Sequence, residues 1–247
     1  MIITSWNCHN LNASSKKEKP ENRWNYRKIL QNAIGAIPDV AFFCEVEREK
    51  DDFCFHECRE LDKDWKDLTS GISLQIGPDV TILEDNLLLP SDGSEEYGMA
   101  WRVKAAKKNE EQEIVFFWNL KMKYVKGKTI HGYPTIWKHL TEILSRDEKF
   151  WDSSAIIMGD FNLTGEEVQK KLDTLNTSMK IQWNEPSHFR SFPINDLASG
   201  RPLDHFICRD GLAECMKKVM FRNYGRDFIG KKLSDHLPLI IQTRKTF

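Results

Sequence analysis

Two short stretches of this chain hold the side chains with the most to offer chemically. Near the middle it reads Ile156-Ile157-Met158-Gly159-Asp160-Phe161-Asn162, and near the end Leu233-Ser234-Asp235-His236-Leu237-Pro238-Leu239-Ile240-Ile241. Each joins an apolar run to a polar cluster, an arrangement that sets hydrogen-bonding and metal-binding groups at the mouth of a buried strand. Carboxylates with an amide and an imidazole are the groups needed to hold a hard cation and cut a phosphate ester. The pattern recurs elsewhere. A strand over residues 1–6 ends at Asn7, and the buried run Asp39-Val40-Ala41-Phe42-Phe43-Cys44 leads straight into Glu45. Three strand ends carrying Asn7, Glu45 and Asp160 form a cation site if the fold brings them together.

The elements that must position these groups are mostly strands. Besides the two just named, apolar runs predict strands over Ala155 to Met158, Leu203 to Cys208 and Leu239 to Gln242. Met99 to Ala105 and Ile114 to Leu120 read as a hairpin around the charged turn Lys107-Lys108-Asn109-Glu110. Weaker strand signals cover Trp65 to Val80 and Val80 to Leu89. Helical spacing appears over Arg23 to Ala36, Thr135 to Leu144 and Glu166 to Leu175, and the lysine-rich stretch Asn12 to Glu21 reads as a loop. Many strands with few helices between them favour an α/β sandwich over a doubly wound parallel sheet.

Length and composition allow one large α/β domain: 247 residues, 40% hydrophobic and 30% charged, with no composition break. A net charge of −1 excludes a global basic field, so any phosphate-binding surface must be local. The first residues have neither the basic nor the apolar region of a signal peptide, and no run approaches the ~18 apolar residues of a membrane span. The six cysteines are scattered and read as buried free thiols in a reducing, cytoplasmic compartment. Cys54, His56 and Cys58 cluster more tightly, but a fourth ligand at zinc-site spacing is missing.

Taken in order, five motifs resemble those of the endonuclease/exonuclease/phosphatase superfamily, which includes deoxyribonuclease I and exonuclease III. They are Ser5-Trp6-Asn7, Phe43-Cys44-Glu45, Gly159-Asp160-Phe161-Asn162, Arg201-Pro202-Leu203-Asp204-His205-Phe206 and Ser234-Asp235-His236-Leu237-Pro238. The resemblance spans nearly the whole chain and implies a four-layer α/β sandwich, two mixed β-sheets flanked by helices, as a single domain over residues 1–247.

The same resemblance assigns roles. Glu45 and Asn7, with Asp235, would hold Mg²⁺ or Mn²⁺. Asp160 would act as general base or orient the attacking water, and Asn162 would hold that water or a phosphate oxygen. His236 would contact the phosphate, its ring oriented and its charged form favoured by Asp204. One position departs from the family. Where an Asn-Thr-His-Leu-like segment is usual, this chain has Phe117-Trp118-Asn119-Leu120. Asn119 is then expected at the reacting phosphate, able to donate a hydrogen bond but not to protonate a leaving group.

Basic and aromatic residues in two segments suit a nucleic-acid backbone: Lys121, Lys123, Tyr124, Lys126, Lys128 and His131 in one, Arg222, Arg226, Lys231 and Lys232 in the other. Trp183 and Ser187-His188-Phe189 suggest a further base- or sugar-contacting loop. The expected activity is metal-dependent hydrolysis of nucleic acid by a monomer, with DNA favoured over RNA and no membrane partner. A phosphatase or lipid phosphodiesterase of the same fold, or a non-catalytic phosphate-binding protein, are the alternatives.

Overall fold

The computed structural model describes residues 1–8, 30–32, 34–46, 52–57, 71–88, 98–119, 122–125, 128–131, 138, 141–142, 144–147, 149–183, 185–187, 200–218, 234 and 236–243. Its strands are β1 (Ile2–Asn7), β2 (Val40–Val46), β3 (Cys54–Glu57), β4 (Gly71–Ile76), β5 (Thr81–Leu88), β6 (Gly98–Lys107) and β7 (Glu110–Asn119). They continue with β8 (Met122–Val125), β9 (Lys128–His131), β10 (Ile156–Asp160), β11 (Met179–Trp183), β12 (Asp204–Arg209), β13 (Met216–Lys218) and β14 (Leu239–Thr243). Helix α1 is Gly165–Asp173 and α2 is Asp210–Ala213.

Two six-stranded sheets result, ordered β13-β14-β1-β2-β4-β3 and β11-β12-β10-β7-β6-β5, with β8 and β9 as a separate pair. Both are mixed: β1 runs parallel to β2 but antiparallel to β14, and β10 runs parallel to β7 but antiparallel to β12. These central strands are the near-continuous apolar runs of the sequence, because a strand covered on both faces has no polar side to show.

Alternation along the strands sorts residues into layers. Ile3, Phe42 and Leu74 of the first sheet meet Phe116, Trp118 and Met158 of the second in one buried cluster, where the rings of Phe42 and Phe116 stack with centroids 5.0 Å apart. The opposite face of the second sheet buries Phe117, Ile157 and Ile207 against Val168 and Leu172 of α1. The opposite face of the first buries Trp6, Phe43 and Ile240 against Leu30, which lies in a helical turn. The order is helix, sheet, sheet, helix: the four-layer sandwich expected from the sequence.

The structure also differs from the expectations in places. The central hairpin extends further toward its turn, because the charged residues Glu110 and Glu111 continue the pairing up to the turn at Lys108. Strands β3, β11 and β13 are short and carry too little alternation to stand out. Cys54 and His56 lie on β3, where the Cys54 thiol faces the Asp85 carboxylate at 3.4 Å, while Cys58 lies outside the described residues. The stretch Asn12 to Glu21 and most of Arg23 to Ala36 also lie outside them. Among the described residues no helix is long and apolar enough to cross a membrane.

Candidate active site

Parallel pairing sets Asn7 of β1 and Cys44 of β2 side by side, which leaves Glu45 as the next residue along. Glu45 does not simply end its strand. Cys44 pairs with Ile72 and Val46 with Gly71, so Glu45 is an extra residue bulged out of the pleat, with φ at 55°. A left-handed conformation costs a non-glycine residue roughly 1–2 kcal/mol, and here it turns the carboxylate toward β1. The Asn7 Nδ2 donates to Glu45 Oε1 at 2.8 Å.

The same amide nitrogen donates to Asp160 Oδ2 at 3.0 Å, crossing from the first sheet to the second. Asp160 closes β10 immediately after Gly159, whose φ is 149°. A Cβ at Gly159 would lie 1.9 Å from the Phe117 carbonyl oxygen, so only glycine lets β10 approach β7 here. After Asp160 the chain turns through Asn162 at φ 50°. The Asn162 backbone N–H donates to Asp160 Oδ1 at 2.8 Å and its Nδ2 to Asp160 Oδ2 at 3.0 Å. Helix α1 begins only at the next turn, with Thr164 as its N-cap in a capping box with Glu167. Neither Asp160 nor Asn162 is consumed in capping.

Asp204 starts β12 directly opposite Asp160 across an antiparallel pair. His236 lies just before β14. Ser234 ties that segment to β1, its hydroxyl donating to the Asn7 carbonyl at 2.7 Å and accepting from the His236 backbone N–H at 3.0 Å. The His236 ring Nδ1 lies 2.9 Å from Asp204 Oδ2, and Nε2 is turned toward Asp160 Oδ2 at 3.9 Å. Ligand atoms of Asp160, Asp204 and His236 lie within 4.8 Å of one another.

Asp160 is fully buried. Burial above all, then the nearby charge of Asp204, pushes its pKa up to about 7, against the opposing pull of His236 and of the donors from Asn7 and Asn162. Burial and the charges of Asp160 and Glu45 likewise raise the Cys44 thiol well above its ordinary value, so it stays protonated and is no nucleophile. Gathering carboxylates away from water is costly, and a divalent cation relieves that cost. The oxygens of Glu45, beside the Asn7 amide, could hold a divalent cation, which takes hard oxygen donors.

Asn119 is placed otherwise than expected. It is fully buried at the end of β7 and alternates with Trp118, which puts it on the face with Phe117, away from the cluster between the sheets. Its Nδ2 donates to the Phe161 carbonyl at 2.7 Å, and its own carbonyl accepts from Asn162 Nδ2 at 2.6 Å. Its contacts therefore reach the turn that carries Asn162. Ser187 and Trp183 also differ from the loop contact first suggested, since both are buried. Lys123 and Tyr124 belong to β8, shortly after β7; Lys121, Asp235, Arg222 and Arg226 lie outside the described residues.

Sequence reasoning passed over two buried groups. Ser234 was visible only as part of a motif, and its two hydrogen bonds need the fold. His205, next to Asp204, has Nε2 at 2.7 Å from the Leu163 carbonyl and Nδ1 at 3.3 Å from that of Trp183. It holds the turn after Asp160 from the side opposite the carboxylates.

An acidic, amide- and imidazole-bearing cluster thus sits at the shared end of two packed mixed sheets. No protein-family model matches this chain, and no curated protein sequence matches it. Solved structures do. The 3′ phosphatase NExo from Neisseria, bound to a product DNA hairpin, superposes with a TM-score of 0.64 at 15% identity, covering 99% of this chain and 100% of its own. A truncated TDP2 from Caenorhabditis elegans gives 0.61 at 13% identity, covering 99% and 97%. An endonuclease/exonuclease/phosphatase protein from Bacteroides vulgatus gives 0.60 at 14% identity, covering 98% of each chain. The fold of this chain is that of the endonuclease/exonuclease/phosphatase superfamily.

Proposed function

We propose that this chain is a divalent-metal-dependent phosphodiesterase that hydrolyses nucleic acid, with DNA favoured over RNA. The observation that carries the reading is the Asn7 amide joining Glu45 and Asp160 from two different sheets, with the His236–Asp204 pair alongside. Asn7 and Glu45 would hold the cation, with Asp235 joining them by resemblance. When bound, it supplies charge neutralisation at the phosphoryl oxygens. Asp160, held by three donors, orients a water and takes its proton, and a carboxylate poised near neutral pH suits that task. Asn162 fixes Asp160 through its backbone N–H and Nδ2, and its Oδ1 can accept from the attacking water. His236, with Nδ1 held by Asp204, presents Nε2 to the phosphate as negative charge develops. Asn119 acts by holding the Phe161–Asn162 turn. Lys121, Lys123, Tyr124, Arg222 and Arg226 are assigned to the nucleic-acid backbone.

Likeness to a 3′ phosphatase seen with a DNA product supports nucleic acid as substrate and suggests a second reading, removal of a terminal 3′ phosphate. Buried free thiols at Cys8, Cys44 and Cys208 support a reducing, cytoplasmic setting. The test is hydrolysis of single- and double-stranded DNA, RNA, 3′-phosphorylated oligonucleotide and small phosphoesters, with Mg²⁺, Mn²⁺ or a chelator. Cleavage of DNA phosphodiester linkages, internal or terminal, that chelator abolishes is expected. Release of phosphate from the 3′-phosphorylated strand alone selects the second reading, and inactivity on every substrate rejects both.

A further inference from the structure

We propose that Ser187 is the positioning residue of the His236–Asp204 pair, an inference that rests on the hydrolytic reading of that site. The two members of the pair come from chain segments that are distant in sequence, and the geometry between them depends on how the segments are tied. Ser187 ties them. Its hydroxyl oxygen accepts from the backbone N–H of Asp204 at 3.0 Å and from that of Leu203 at 3.1 Å. Its carbonyl accepts from the Leu237 N–H, one residue past His236, at 2.7 Å. Its own N–H donates to the Arg201 carbonyl at 3.0 Å. One buried residue thus holds the backbone at Asp204 with its side chain and the backbone beside His236 with its main chain.

A serine hydroxyl has two lone pairs, and both N–H groups it receives are buried. Alanine would leave two buried donors without an acceptor, and the strand start would shift to find water or another partner. The Asp204 carboxylate moves with that backbone, so the 2.9 Å contact to His236 Nδ1 loosens. Threonine keeps the hydroxyl and therefore the tie.

The experiment compares S187A, S187T and S187C with the parent and with H236A. S187A is expected to lower kcat roughly 10–100-fold at unchanged KM, the usual range for a group that orients another. S187T should recover most of the rate. In the H236A background, S187A should cost little more, because groups acting as one unit are not multiplicative. Proton NMR supplies a readout independent of activity. The His236 Nδ1–H resonance, identified by its loss in H236A, should move upfield or broaden in S187A and persist in S187T. Should S187A fail to fold, S187C carries the same tests, its thiol being the weaker acceptor. A parent-like rate and resonance in the alanine or cysteine variant, or a multiplicative loss with H236A, overturns the proposal. If the parent hydrolyses nothing, the resonance alone decides the tie, and the failure belongs to the hydrolytic reading.

Discussion

Glu45 is the residue whose replacement separates chemistry from folding most cleanly. It is half-buried, sits on a bulge and accepts from Asn7. Glu45→Gln keeps its shape and removes the negative charge proposed to hold the cation. Activity should fall by roughly two orders of magnitude, partly restored by excess Mg²⁺, while the unfolding midpoint stays near that of the parent. Isothermal titration with Mn²⁺ checks the cause: undiminished affinity together with parent-like turnover means the cation does not bind here. The His236–Asp204 pair makes a second prediction at this scale. H236A and D204N should each reduce kcat, and the double variant should lose less than the product of the two. Multiplicative losses in single-turnover assays would show that Asp204 does not act through the imidazole.

At the scale of elements, the junction of β7, β10 and the turn after Asp160 is where local geometry is tightest. Gly159→Ala forces a methyl group against the Phe117 carbonyl at a φ that only glycine tolerates. The parallel pairing of β7 and β10 must give way, at a cost of about 3 kcal/mol in urea unfolding, and activity should fall with it. A parent-like urea midpoint would mean that β10 can stand off from β7. Asn119→Ala tests the same turn from its outer face. Removing the amide leaves the Phe161 carbonyl without that donor, so about 1–3 kcal/mol of stability should be lost. Asn119→His should not raise the rate, because the position is fully buried and hydrogen-bonded to the backbone. A gain in rate with histidine would return Asn119 to the reacting phosphate.

Over the whole molecule, the site draws on both sheets, and its charge couples folding to pH. The sign follows from Asp160, whose folded pKa of about 7 lies above its unfolded value near 3.8. The folded state binds the extra proton between those values, so this group's contribution to stability is full below pH ~4 and falls by a few kcal/mol as pH rises toward 7. The proposed cation beside it would favour the ionised form and oppose the loss. Mn²⁺ should therefore raise the melting temperature little at pH 5.5 and increasingly through pH 7. Asp160→Asn should be more stable than the parent at pH 8 without metal, and should lose activity. A metal-induced shift in melting temperature that is the same at every pH would detach Asp160 from the cation.

Much of this architecture is legible in one dimension because burial on both faces leaves an apolar run and a strand end leaves a polar residue. That is why β1, β2, β10, β12 and β14, and the positions of Asn7 and Asp160 at strand ends, can be read directly from composition along the chain, while Glu45 lies on a bulge one residue before the end of β2. Short edge strands such as β3 and β13 escaped, since three or four residues carry too little alternation to be read. What only the tertiary structure decided was direction. A bulge turns Glu45 toward Asn7, and the period of two along β7 puts Asn119 on the face opposite Trp118. Ser187 meets Asp204 and Leu237 only because two distant segments pass the same residue. Spacing along a chain specifies which side chains are available. Which of them touch depends on pleat, bulge and register, and those are fixed by packing between sheets rather than by neighbours in sequence.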